Sequence, residues 1–183
     1  MISSLLVLTT SYLIVSIIYF GRKLPMYSHV RDTISELGEK GSLLERTVAY
    51  KVFLLVGFIL ILSAGALYFQ DLRTDMQLNL CGLLACVGVG YAIAAFYPCD
   101  PGSPLTGSTR QSIHNFGGVI EYIGGAYFLI KTSLPIFPIL GYLIISCSVA
   151  MSFSSLSSWR GFIQRVAEVG LFAGIIFLSI QAL

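Results

Sequence analysis

Between Cys99 and Glu121 the chain places Asp100, Arg110, His114 and Glu121 in a sequence that is otherwise almost wholly lipid-soluble. A charged residue at the centre of a spanning helix costs about 2.5 to 3.5 kcal/mol on insertion scales, so such residues mark a partner, a pocket or a water-filled cavity. Histidine titrates near neutral pH and works as a general acid or base once a carboxylate orients it. Asp100 or Glu121 is the candidate to orient His114, and Asp32 and Glu36 bring two further carboxylates from an earlier segment. Arginine suits a phosphate or carboxylate headgroup, because its planar fork matches two oxygens at once. The candidate catalytic group is therefore His114, Asp100, Glu121, Glu36 and Asp32, and the candidate substrate-binding group is Arg110, Arg160, Arg165, Trp159 and Glu168.

Several chemistries suit this set. The enzymatic one is hydrolysis or acyl transfer on a lipid, with Ser35, Ser103, Ser108 and Ser112 as available nucleophiles, although none sits in a GxSxG-type turn. A metal reading would use His29 and His114 with Asp32, Asp100 or Glu36, but no HExxH or paired-His spacing supports it, and the sequence names no metal or cofactor. A non-enzymatic reading is a small transporter or lipid-binding protein with Glu121 on its path. A purely structural reading makes the cluster a polar staple, in which Arg165 and Glu168, one turn apart, neutralise each other. Trp159 sits where an interfacial anchor belongs.

The elements that must position these groups are set by composition. Of 183 residues, 56% are hydrophobic and only 11% charged, with a mean hydropathy of +0.84, whereas soluble domains carry roughly 25% charged residues. Six apolar runs are long enough to cross a hydrocarbon core, which takes roughly 20 residues: Met1 to Phe20, Tyr50 to Phe69, Leu78 to Tyr97, Ile113 to Ile130, Leu134 to Phe153 and Phe162 to Ile180. Met1-Ile2-Ser3-Ser4 has no basic n-region, so the first run reads as a retained helix rather than a signal peptide. The expected fold is all-α, a single six-span membrane bundle over residues 1–183.

In the first connection, Thr33-Ile34-Ser35-Glu36 and Ser42-Leu43-Leu44-Glu45 both have the capping-box form. They predict a short interfacial helix from about Thr33, stopped at Gly38 or Gly41, and a second span starting near Ser42. Pro98 to Pro104 ends the third span, since proline cannot donate to the helix ladder, and sets Asp100 in a turn. On the fourth span, His114, Gly117, Gly118, Glu121, Gly124 and Gly125 share an arc of roughly 120°, a stripe both small and polar.

Arg22, Lys23, Arg31, Lys40, Arg46, Lys51, Arg110, Arg160 and Arg165 lie at the first, third and fifth connections, against Arg73 and Lys131 on the other side. This asymmetry predicts those connections cytoplasmic and both termini outside. A net charge of +2, interleaved with carboxylates, gives no nucleic-acid signal; the expected partners are membrane lipids, and oligomeric state is not encoded in any pattern. Cys81, Cys86, Cys99 and Cys147 form no CxxC and read as small packing residues.

Asp32-Thr33-Ile34-Ser35-Glu36-Leu37-Gly38, then Tyr97-Pro98-Cys99-Asp100-Pro101-Gly102, then His114 resemble, in order and spacing, the prokaryotic multi-pass family known as domain of unknown function 998. The resemblance runs over essentially the whole chain and implies a prokaryotic plasma-membrane protein with Asp32, Glu36, Asp100 and His114 at motif positions. More distantly, Ile34-Ser35-Glu36 and His114 with its glycines are similar to six-span proteins of the FRAG, DRAM and Sfk type. That likeness implies lipid handling.

Overall fold

The computed structural model describes residues 2–70 and 74–183. Met1, where the first predicted span begins, and Arg73, one of the two cations assigned to the far side, lie outside the described residues. Within them every regular element is helical. We label the long helices α1 (Ile2–Gly21), α2 (Glu45–Tyr68), α3 (Asp75–Phe96), α4 (109–130), α5 (Ile136–Ala150) and α6 (Arg160–Ala182). Four are long and apolar enough to cross a membrane, namely α1, α2, α3 and α6 together with the 3-10 turn Ser154–Trp159 that leads into it. The apolar α5 is shorter.

The outer surface has the character of a lipid-facing one. Leu8, Phe58, Leu62, Ile139, Tyr142 and Val169 are all more than half exposed, a distribution that water would penalise and hydrocarbon does not. Inside, α3 is the central helix, packed on α2, α4 and α6 through the fully buried Leu80, Leu83, Leu84 and Val87. Close approach of α2 and α3 depends on Gly57 and Gly88: a Cβ on either would stand within 2.9 Å of the other's carbonyl oxygen. Small residues serve helix contact in membranes for this reason.

Two helices carry a π turn, Ala49–Leu54 in α2 and Ile120–Gly124 in α4. The Ser108 hydroxyl accepts the Gln111 N–H at 3.2 Å and starts α4, and Thr74 starts α3 in the same way. Both are ordinary N-caps.

The short helix expected from about Thr33 and stopped at Gly38 forms as the 3-10 turn Ser35–Gly38; its expected interfacial placement is corrected, because it is packed into the bundle end rather than laid on a surface. A 3-10 turn brings residues three apart onto one side, and here Ile34 and Leu37, 3% and 1% exposed, both go into the core. The Glu36 carboxylate accepts from both the N–H and the hydroxyl of Thr33 (2.9 and 2.8 Å), so only half of the expected capping box forms. At the other box, Glu45 reaches back to the N–H of Gly41 instead of Ser42, and α2 begins at Glu45. The connection is also bonded to α6, whose free N–H groups at Gly161 and Phe162 donate to the carbonyls of Arg31 and Val30 at 3.1 and 2.9 Å. A Cβ at Gly161 would collide with the Asp32 carbonyl, so this docking needs glycine.

Candidate functional site: a polar cavity at one end of the bundle

The first, third and fifth connections meet. Lys40 N–H donates to the Cys99 carbonyl at 2.8 Å, Gly102 N–H to the Glu39 carboxylate at 2.7 Å, and Arg160 reaches both the Gly102 carbonyl and, at 3.2 Å, Glu36. Beneath them lies a cavity of about 480 Å³, walled by Ser35, His114, Glu121, Tyr122, Arg160 and Glu168 among apolar neighbours such as Phe53 and Val119. Small-molecule sites occupy roughly 300 to 1,000 Å³ and mix apolar walls with a few polar groups in this way.

His114, 8% exposed, projects from α4 with both ring nitrogens engaged. Nδ1 is 2.9 Å from the Tyr97 carbonyl oxygen and Nε2 is 3.1 Å from the Ser35 hydroxyl. A carbonyl only accepts, so Nδ1 carries the proton and Nε2 offers its lone pair to the Ser35 O–H. The result is a serine with a base at hydrogen-bond distance and a third group orienting that base, which is the arrangement of an activated nucleophile.

Deeper in the cavity, Tyr122 and Tyr91 donate to the two oxygens of Glu168 at 2.7 and 3.0 Å. Gln164 donates to the Tyr122 hydroxyl at 3.0 Å and accepts the Ile34 N–H at 2.6 Å. Glu121 and Glu168 both line this part of the cavity. Glu121 Oε1 is buried with no hydrogen-bond partner. Glu121 owes its place to Gly90, where a Cβ would stand 2.5 Å from the Glu121 Cβ.

Of the residues expected in the site, His114, Glu121, Arg160 and Glu168 line the cavity, and Glu36 is bound to Arg160 at its edge. The others are elsewhere. Asp100 does not orient His114: its carboxylate accepts the N–H and the hydroxyl of Ser108, both at 2.8 Å. These bonds, the backbone one foremost, hold its carboxyl below the ordinary range. It closes the loop before α4, a common task for Asp beside a turn. Asp32 is clasped by Arg31 (2.6 and 2.9 Å) and by the Ser28 N–H. Desolvation pushes its carboxyl up, but these bonds outweigh it and the net shift is downward.

Arg165 forms no ion pair with Glu168. Its Nη1 donates to the carbonyls of His29, Asp32 and Gly161 at 2.7 to 2.9 Å, and its Nη2 to the Tyr27 hydroxyl at 2.6 Å and towards His29 Nδ1 at 3.0 Å. Burial drives the Tyr27 phenol up to about 12. His29 is thus a partner of Arg165, far in role from His114. Trp159 is 55% exposed against Phe162 and outside the cavity. Arg110 faces a different cavity.

Tyr91, Tyr122 and Gln164 were not among the expected residues. Gln164 and Glu168 are one turn apart, the spacing that puts two polar side chains on one helix face. Tyr91 and Tyr122 offered no such signal, because phenols abound in lipid-facing helices. The stripe on α4 divides: His114, Gly117, Glu121 and Gly125 are buried, while Gly118 borders the cavity with open space where a Cβ would go. All four cysteines are free thiols, and burial raises Cys99 to about 12.

A helical bundle with an apolar outer surface and a polar cavity at one end defines an integral-membrane protein of the helical type. The chain belongs to the family described as protein of unknown function (DUF998), whose sequence profile matches residues 8–181. No curated protein and no solved structure matches it.

Proposed function

We propose that this protein is a six-span component of a prokaryotic plasma membrane, with both termini outside, that holds a lipid in the cytoplasmic-end cavity and cleaves or transfers an acyl group from it. The observation that carries the reading is Ser35 Oγ at 3.1 Å from His114 Nε2 on the cavity wall. The orientation rests on the Lys and Arg excess of the first, third and fifth connections.

In the proposed step, Ser35 Oγ adds to the ester carbonyl carbon while its proton passes to His114 Nε2. Collapse breaks the ester C–O bond, the departing alkoxide takes the proton from Nε2, and the acyl group stays on Ser35. Water, or a second alcohol, gives its proton to Nε2, adds to the acyl carbon and displaces Ser35 Oγ, which recovers the proton. The Tyr97 carbonyl keeps the imidazole in the required tautomer, as a carboxylate does in the Ser-His-Asp arrangement. Arg160, fixed by Glu36, stands on the same wall for the headgroup.

The test is an alkyl fluorophosphonate applied to purified protein, with the adduct mapped by mass spectrometry. An adduct on Ser35 that disappears in His114→Gln, with the elution profile unchanged, is the expected result. No adduct on the folded wild type refutes the chemistry. The buried, unpartnered Glu121 Oε1 favours a second reading, in which the cavity binds or carries a lipid without cleaving it. Under that reading Glu121→Gln releases a co-purifying lipid and Ser35→Ala does not.

A further inference from the structure

We propose that the protein carries a second, independent site, an anion pocket for a phosphate-bearing ligand formed by Lys40, Arg46 and Arg110. These residues border a cavity of about 270 Å³, together with Glu45 and the apolar Ala49, Tyr50 and Phe96. They come from three separate places in the chain: the first connection, the first turn of α2 and the first turn of α4. The one carboxylate present is already satisfied. Glu45 Oε1 accepts from Lys40 Nζ at 3.0 Å and Oε2 from the Gly41 N–H at 2.7 Å. Among the described residues, neither the Arg46 nor the Arg110 guanidinium has a hydrogen bond or an ion pair; Glu45 and Asp100 feel the charge of Arg110, yet three cations border the cavity against one carboxylate.

That charge is also placed against the local field. A helix N-terminus bears a partial positive charge and favours anions, yet Arg46 and Arg110 are each the second residue of a long helix. Helix stability does not ask for a cation at either position. A topology signal asks for positive charge anywhere on that side of the membrane, and does not require three cations to converge on one cavity. An anion between the two helix ends satisfies the guanidinium groups and both dipoles together.

The shared chemistry is a phosphate group, from either a lipid headgroup or a soluble phosphate. Tyr50 and Phe96, 51% and 60% exposed, border the cavity on the helix side, where the glycerol and first methylenes of a lipid would run. Basic pockets between helices at a cytoplasmic rim take anionic headgroups in this manner. The site shares no wall residue with the Ser35 cavity and does not depend on the chemistry proposed there.

The test is native mass spectrometry of the full chain in detergent, titrated separately with phosphatidylglycerol, phosphatidylcholine and inorganic phosphate. We expect phosphatidylglycerol to bind about tenfold or more tightly than phosphatidylcholine, and Arg46→Gln/Arg110→Gln to lose that preference. Phosphate binding without a lipid preference, lost in the same variant, also supports the pocket and assigns it to a soluble ligand. Equal binding of the two lipids without phosphate binding overturns the proposal, as does a preference unchanged in the variant. Because Arg46 is exposed, the single change Arg46→Gln carries the same comparison if the double variant does not fold.

Discussion

Replacing Arg165 by leucine separates a structural clamp from a substrate ligand. The guanidinium ties α6 to the first connection by donating to the carbonyls of His29 and Asp32 and to the Tyr27 hydroxyl. The third carbonyl, that of Gly161, lies one turn back on the same helix and bonds elements that α6 already holds together. Counting only the two carbonyls of the connection, at about 1.5 to 3 kcal/mol net for each bond from a charged donor, the loss is about 3 to 6 kcal/mol. At roughly 2 to 4 °C per kcal/mol for a chain of this size, the unfolding midpoint falls by about 6 to 24 °C. The assay is thermal unfolding in detergent followed by fluorescence of Trp159, the single tryptophan, which adjoins the start of α6. Arg165→Lys keeps the charge without the fork and is expected between the two. A midpoint within a degree or two of wild type in Arg165→Leu, with ligand binding lost, would refute the clamp and return Arg165 to the substrate.

Gly118→Leu tests the large cavity without touching the Ser35–His114 pair. A side chain there enters open space bordering the cavity, so we expect an unchanged unfolding midpoint with co-purified lipid lost. Retained lipid would mean that the ligand lies elsewhere. Stability should also fall as pH drops from 7.5 towards 5. Burial first, then the positive charges of Arg165 and Arg22, hold the His29 imidazole below its ordinary 6.5. The unfolded chain therefore takes up a proton from about pH 6.5 downward while the folded one resists, and stability present above that range is lost within it. A flat midpoint over that window, or a slope unchanged in His29→Gln, would contradict the assignment.

The helices were legible because hydropathy is a direct statement of solvent in a bilayer: all six apolar runs fall on helices whose ends differ by a few residues from the expected ones. His114 and Glu121 were legible for the same reason, as ionisable groups in an apolar run. What the sequence does not show is direction. Asp32 and Asp100 turn to groups nearby in the chain, Arg165 to Tyr27, His29 and the Asp32 carbonyl of the first connection, and Arg110 to a different cavity. Local hydrogen bonds of Asp100 to Ser108 and of Asp32 to Arg31 need no long-range order, and they win over a distant imidazole. The Thr33 to Glu36 signature was visible, but its outcome as a 3-10 turn depended on burying Ile34 and Leu37 in the core, with the turn packed on α1 and α2, a tertiary demand. Tyr97 contributes a carbonyl, a group that every residue has, so no reading of side chains could have found it as the partner of His114.

The π turn at Ile120–Gly124 has a further consequence for how this chain tolerates insertions and deletions. Such a turn holds one residue more than an α-turn, and it sits between the His114 half of α4 and the Gly125 half, which packs on Leu83 and Leu171. The wide turn absorbs that residue, so a single deletion there restores a regular helix with both halves facing as before. A single insertion, with no second wide turn to absorb it, would instead turn one half against the other by about 100° and carry His114 away from Ser35. This stretch of α4 therefore has room to lose one residue and none to gain one.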